Sequence, residues 1–210
     1  MIGSQKEPFA MIFDTGSNWL WVDEKNCINC PNVPRFDSAA SSTYTEKWWS
    51  KSLYYGSGSV NGQNGFDTVC LTHDRCVDGF SFVAVHSQDG LSSIRSSGLV
   101  GLSPYKFDPA SDLFIAKMKE EGAIDTAMFS LSIGMDDRQS KITFGGYDTN
   151  QFATGPLTWH DISKSSIYWQ LPLTHFEFSV GDKKFQLGHN RGLIVDSGTS
   201  FLLMPKADQL

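Results

Sequence analysis

Two six-residue stretches near opposite ends of the chain follow one pattern, Ile12-Phe13-Asp14-Thr15-Gly16-Ser17 and Ile194-Val195-Asp196-Ser197-Gly198-Thr199. Each runs apolar, apolar, Asp, hydroxyl, Gly, hydroxyl. An Asp at the end of an apolar strand is costly to bury unless it has a task. An isolated copy would read as an ordinary turn in which the Asp bonds its own backbone; a duplicated copy points to two loops meeting at one shared site. Two carboxyl groups within hydrogen-bond reach cannot both ionise, so one keeps a proton while the other can take one from a water lying between them. That is acid–base equipment for a hydrolysis. Gly16 and Gly198 let backbone approach closely, and the hydroxyls of Ser17 and Thr199 are expected to donate to the carboxylates.

The elements that must position these loops are mostly strands. Apolar and aromatic residues come in short runs, Phe9–Phe13, Trp19–Val22, Ser59–Leu71, Phe80–Val85, Met128–Ile133, Lys141–Phe144, Trp169–Phe178 and Leu193–Val195. Turn signals such as Gly56-Ser57-Gly58, Asn61-Gly62, Asn64-Gly65 and Gly145-Gly146 lie between or within them and leave little room for crossover helices. One segment differs: Ser111–Glu121, with Pro109 before it and Gly122 after it, has a capping residue, helix formers and a stop, and is expected to be the one helix. Patterning lapses over Tyr147–Trp159, around Gly155-Pro156, which divides the chain into residues 1–155 with the first Asp loop and 156–210 with the second.

Composition narrows the classes of function. The 210 residues carry 17 Lys+Arg against 23 Asp+Glu, a net charge of −6, with 40% hydrophobic residues. That suffices for a core, and 15 Phe, 6 Trp and 6 Tyr are too many aromatics for a disordered chain. The acidic balance argues against a nucleic-acid partner. No apolar run approaches the roughly 18 residues of a membrane span, so no membrane segment is expected in this chain. The opening Met1-Ile2-Gly3-Ser4-Gln5-Lys6-Glu7-Pro8 is no apolar targeting core.

The four cysteines fall in two close pairs, Cys27/Cys30 and Cys70/Cys76. These suit two small disulfide loops or one four-thiolate zinc site. A redox motif would open a helix at Cys27, whereas Pro31 and Pro34 favour a turn. Cys70 and Cys76 sit symmetrically about a tight turn at His73, opposite one another in a hairpin, so two disulfides are favoured over zinc. The histidines at 73, 86, 160, 175 and 189 show no metal spacing. Neither a metal nor a cofactor is called for.

Beyond the two loops, Leu20-Trp21-Val22, Phe36-Asp37, Ser41-Ser42-Thr43-Tyr44, Tyr55-Gly56-Ser57-Gly58-Ser59, Gly98-Leu99-Val100-Gly101-Leu102, Phe144-Gly145-Gly146 and Tyr168-Trp169-Gln170 follow in order. In this set and this order the chain resembles the pepsin-like aspartic proteases over nearly its whole length. The resemblance implies a mostly β, two-lobed acid-protease fold, with the N-terminal lobe nearly complete and the C-terminal lobe partial. It implies an aspartic endopeptidase in which Asp14 and Asp196 activate water against a peptide carbonyl. Thr15 and Ser197 would tie the loops to each other across the lobe interface. Tyr55, Gly56 and Ser57 would lie on a mobile flap closing over substrate, with the Trp21 indole N–H meeting the Tyr55 hydroxyl. Ile12, Leu99 and Ile194 would line apolar pockets and favour bulky hydrophobic residues beside the scissile bond. The partner implied is a polypeptide substrate bound by a monomer, in an acidic compartment of the secretory pathway, a lysosome or vacuole, or outside the cell.

The chain also departs from that pattern. Asn18 and Trp19 stand where the family commonly has a small residue and then Asn, and Ser97 where an acidic residue often precedes the bracing Gly. The family's first strand is expected to be missing before Met1, and the second lobe's own bracing segment after Leu210. A 210-residue chain is therefore expected to be inactive by itself. A pepsin fold that binds peptides without cleaving them, and a zinc-stabilised interaction module, are the competing readings.

Overall fold

The computed structural model describes residues 1–91, 93–134, 140–187 and 190–208; His189 and Leu210 lie outside them. Six strands form the main sheet: β1 (Met11–Asp14), β2 (Leu20–Ile28), β3 (Thr45–Tyr55), β4 (Gly58–Thr72), β5 (Arg75–Asp89) and β6 (Gly98–Gly101). Their order across the sheet is β1-β6-β2-β5-β4-β3. Alternate residues of a strand face opposite sides, and here both sides are covered. Leu20 and Val22 of β2, Phe82 and Ala84 of β5 and Val100 of β6 pack with Phe36, Phe80, Phe114 and Met118 on one side. Trp21, Val83, Val85 and Leu99 pack with Trp19, Leu53 and Val60 on the other. Two buried faces explain why these strands read as near-continuous apolar runs.

Strands the apolar-run reading passed over have local reasons for hiding. β3 is an edge strand carrying Lys47 and Lys51, with Trp48 92% exposed; such charge is how edges avoid unwanted pairing. β6 has glycine at both ends of four residues, because Gly98 and Gly101 lie against the backbone of β2 and of residues 18–19. β5 runs well past the expected Phe80–Val85 at both ends.

The helix is shorter than expected. α1 covers Phe114–Glu120, with Leu113 at the cap position and no side-chain cap bond. Ser111 is buried and occupied elsewhere, donating to the Asp108 carbonyl (2.8 Å) and accepting from Asn18 (2.7 Å). Asp112 accepts the Ser81 N–H at 2.9 Å, which holds the segment on β5 rather than in a helical turn. A second, one-turn helix, α2 (Thr149–Phe152), begins where Asp148 accepts the Gln151 N–H at 3.1 Å.

The remaining strands of the described residues form two-stranded sheets. β7 (Phe129–Ser132) pairs with β8 (Lys141–Phe144). The expected strand Trp169–Phe178 divides at Thr174-His175 into β9 (Gln170–Leu173) and β10 (Phe176–Val180). β9 pairs with β12 (Arg191–Ile194), and β10 with β11 (Lys183–Leu187). These last two sheets are largely exposed, with Val180, Leu193, Ile194 and the adjoining Val195 open on their surface. No helix among the described residues is long and apolar enough to cross a membrane.

Candidate active site

Asp14 is the last residue of β1 and is 5% exposed. Parallel pairing with β6 sets Asp14 opposite Gly101. The chain after β6 then grips the loop: Leu102 N–H donates to the Asp14 carbonyl (2.8 Å), Ser103 N–H to that of Ser17 (2.9 Å), and Gly101 N–H to that of Trp19 (2.9 Å). The loop is therefore fixed by backbone on both sides before any side chain acts.

Asp196 follows β12, and its loop is locked onto the first by reciprocal bonds. Thr15 N–H donates to Ser197 Oγ (3.0 Å), and Ser197 N–H to Thr15 Oγ1 (2.9 Å). Each hydroxyl also donates outward, Thr15 to the Val195 carbonyl (2.8 Å) and Ser197 to the Phe13 carbonyl (2.7 Å). These four bonds bear on the expectation that the second loop lacks support in this chain, because the first loop supplies it. The approach leaves no room for side chains: a Cβ at Gly16 would stand 2.7 Å from Asp196 Cγ, and one at Gly198 2.3 Å from Asp14 Oδ1.

The two carboxyl groups come within hydrogen-bonding reach of each other. Each is also bonded by its own loop, Gly16 N–H to Asp14 Oδ1 (2.9 Å) and Gly198 N–H to Asp196 Oδ1 (2.8 Å). Here the symmetry ends. Thr199 Oγ1 donates to Asp196 Oδ2 at 2.6 Å, whereas the buried Ser17 hydroxyl has no partner at ordinary hydrogen-bond geometry among the described residues. Burial pushes Asp14 up to about 6, against the pull of Ser17 and the Gly16 N–H and helped by the neighbouring Asp196. Burial works the same way on Asp196, but Thr199 and the Gly198 N–H outweigh it, with Asp14 and Gly16 adding, and its pKa is lowered. The two environments thus pull apart, favouring the acid form at Asp14 and the ionised form at Asp196.

β3 and β4 meet in a hairpin whose two-residue turn is Gly56-Ser57, with Tyr55 opposite Gly58. Both turn residues are exposed. Tyr55 accepts the Trp21 indole N–H at 2.9 Å; burial is the main reason its phenol is pushed up, and an ionised Asp14 nearby adds to it. Ile12 and Leu99 pack with Trp21 and Tyr55 in the same cluster. Ile194 does not join that cluster. It is 44% exposed and lines a groove of about 690 Å³ with Leu173, Phe176, Leu193 and Met204, a groove that also reaches Asp196 and Thr199. A larger apolar cleft, about 850 Å³, reaches Thr15, Asp196 and Ser197 but is lined by neither Asp14 nor Tyr55.

Some supporting residues carried no clear role in the sequence. Trp169 donates its indole N–H to the Leu102 carbonyl (2.7 Å) and stacks edge-on with Phe129, joining the second unit to the brace of the first loop. Its place in Tyr168-Trp169-Gln170 is a visible signal, but nothing local names the partner. Asn18, at a position that departs from the family pattern, is buried and bonded to Ser111.

The cysteines are joined as Cys27–Cys30 and Cys70–Cys76, the latter directly opposite across β4 and β5. The four-thiolate alternative is thereby replaced by two separate bridges. Among the described residues, Asp23, Cys27 and Cys30 bring metal-ligating atom types together, and two of the three are bonded to each other.

A family model described as eukaryotic aspartyl protease matches residues 1–209. Gastricsin of Rattus norvegicus is 32% identical over an alignment covering 97% of this chain and 53% of gastricsin. Plasmepsin IV of Plasmodium falciparum is 33% identical, covering 97% and 45%. A probable vacuolar protease A of Arthroderma benhamiae is 34% identical, covering 97% and 52%. The chain thus spans about half the length of the curated relatives it matches.

Proposed function

The chain belongs to the eukaryotic aspartyl protease family, and we propose that it carries both catalytic carboxylates of an endopeptidase, Asp14 in a unit of residues 1–155 and Asp196 in residues 156–210. The observation that supports this reading is the mutual lock of the two loops, which brings to one point a carboxyl whose pKa is raised and one whose pKa is lowered.

The division of protons assigns the roles. Asp196 takes a proton from a water between the carboxyls as its oxygen attacks the peptide carbonyl carbon. The carbonyl π pair moves to oxygen, which receives the proton of Asp14, and a neutral gem-diol forms. Asp196 then gives its proton to the amide nitrogen, the C–N bond breaks, and a diol hydroxyl returns a proton to Asp14. Water and peptide become acid and amine with no covalent enzyme intermediate. Tyr55, steadied by Trp21, caps the site from the flap, and Gly56-Ser57 close over the bound chain. The apolar cluster of Ile12, Leu99 and Trp21 supports a preference for bulky hydrophobic residues beside the scissile bond. Two disulfides, together with relatives named as vacuolar proteases, support an acidic secretory or vacuolar setting. A monomer acting on polypeptides is the working form in this reading.

Turnover needs Asp14 protonated, so kcat/KM of enzyme carrying this sequence is expected to fall as pH rises through about 6. It should fall again at low pH, once Asp196 is protonated below the usual carboxylate range. A statine-type transition-state mimic should block hydrolysis of denatured protein. Full activity at neutral pH that ignores the mimic would reject the reading.

A further inference from the structure

Asp23 lies two residues beyond Trp21 on β2, fully buried, with no cationic side chain bonded to it among the described residues. Its Oδ1 accepts the Gln88 Nε2–H at 2.6 Å. Its other oxygen, Oδ2, has no partner among the described residues, and neither has Gln88 Oε1, although both are buried. Two unpaired acceptors thus sit on two side chains that already share one bond, and what they lack is a donor. A single proton supplies it. Leaving both acceptors unmade in the interior is costly, whereas a carboxylic acid and a primary amide can join through two hydrogen bonds, one N–H···O and one O–H···O.

The location gives the proton a structural consequence. β2 and β5 pair in parallel through Asp23 opposite Val85, and the register then shifts before Ile28 meets Ser87. Gln88 stands opposite Val60 on β4, in the stem of the flap hairpin. The side-chain pair therefore bridges the two strands where backbone pairing lapses.

We infer that Asp23 and Gln88 form a buried proton-binding site, in which a proton on Asp23 Oδ2 closes a cyclic pair of hydrogen bonds that locks β2 to β5 beside the flap stem. Without the proton, two buried oxygens are left without a donor and the lock opens.

The surroundings favour the acid form. Burial pushes the Asp23 carboxyl up to about 6, against the Gln88 bond and the attraction of Arg35. The Arg35 guanidinium is spread over the carbonyls of Cys27, Cys30 and Pro31. On β2, Glu24 accepts from Ser38 and Lys25 pairs with Asp37. His86 and Asp89 on β5 and Arg95 ahead of β6 are exposed; the residue reaching Asp23 from that side is Ser97, whose carbonyl accepts the Asp23 N–H at 2.8 Å. Because the folded value is raised, the stability it contributes is complete below the ordinary Asp range and is lost as pH rises through about 6.

Asn is the isostere of protonated Asp and can keep both bonds at every pH. The test is urea unfolding of the 210-residue chain at pH 5 and pH 7.5, in an Asp14→Asn background that removes the other carboxyl titrating in this range. The parent's midpoint is expected to drop at pH 7.5. Asp23→Asn should match the parent at pH 5, exceed it at pH 7.5, and lose at least half of the pH-dependent drop. The Gln88 side-chain amide resonances should shift with a midpoint near 6 in the parent and stay fixed in Asp23→Asn. Parallel pH dependences, an Asp23→Asn chain less stable at both values, or Gln88 resonances indifferent to pH would each overturn the inference.

Discussion

Replacing Asp14 by Asn in active enzyme carrying this sequence is expected to lower kcat/KM by about 10⁴-fold or more, and replacing Asp196 by Asn to do the same. Positioned acid–base groups contribute roughly 10²–10⁴-fold each, and here the two act on one water and one carbonyl, so losing either removes both steps. In Asp14→Asn the side-chain amide has no acidic proton to give to the carbonyl oxygen, and in Asp196→Asn it cannot take one from water. Neither change should disturb the loops. An Asn oxygen can still accept the Gly16 or Gly198 N–H, and the Thr15–Ser197 lock uses neither carboxylate. Stability should respond in opposite directions with pH. Asp14, raised, destabilises the fold as pH climbs through about 6, so Asp14→Asn gains relative stability there. Asp196, lowered, contributes stability above the usual carboxylate range that is lost in acid, so Asp196→Asn loses relative stability near neutrality. Turnover within about tenfold of the parent in either variant would remove that Asp from the chemistry.

Limited proteolysis of the 210-residue chain is expected to leave a resistant core ending between residues 147 and 160 and to digest the rest. The six-stranded sheet buries both faces, with Trp21, Val60, Phe80, Phe82 and Val85 inaccessible to solvent. The later sheets have two strands each and leave Leu193, Ile194 and Val195 exposed, followed by Phe201, Leu202 and Leu203 at 78–80%. Sheets of two strands are marginal in water, and segments with little buried apolar surface open at low cost. The loop around Asp196 is the best held part of this region, through Thr15 and Phe13. Cleavage should therefore begin in the β10–β11 hairpin or after Thr199, before it reaches Val195. Uniform resistance through residue 200 would show that the second unit is as stable as the first.

The chemistry of the site was more legible in the sequence than the elements carrying it. The two hexapeptides name the residues whose carboxyls meet, because an Asp-hydroxyl-Gly loop is a local, nearly self-sufficient structure and its repetition is visible. The asymmetry between them was not legible. Ser17 and Thr199 occupy matching positions, yet Thr199 donates to its carboxylate at 2.6 Å while the Ser17 hydroxyl has no partner at ordinary hydrogen-bond geometry among the described residues. Ile12 and Ile194 also match in sequence, but one packs under the flap and the other lies in an open groove, since their strands belong to different sheets. β3 was hidden by its charged edge. The helix starts after Ser111 because that residue is held by Asn18, a partner distant in sequence that no window of neighbouring residues contains. Asp23 reads as an ordinary polar residue in a strand; its burial and its link to Gln88 depend on β2 and β5 lying side by side.

The paired-carboxylate site is tested most directly by carboxyl ¹³C titration of Asp14 and Asp196 in the intact chain and in each single Asn variant. Asp14 is expected to titrate near 6 and Asp196 below the ordinary carboxylate range, with each midpoint moving when the other residue is replaced. Two independent titrations at ordinary Asp values, unmoved by replacement of the partner, would contradict a shared proton and with it the proposed mechanism.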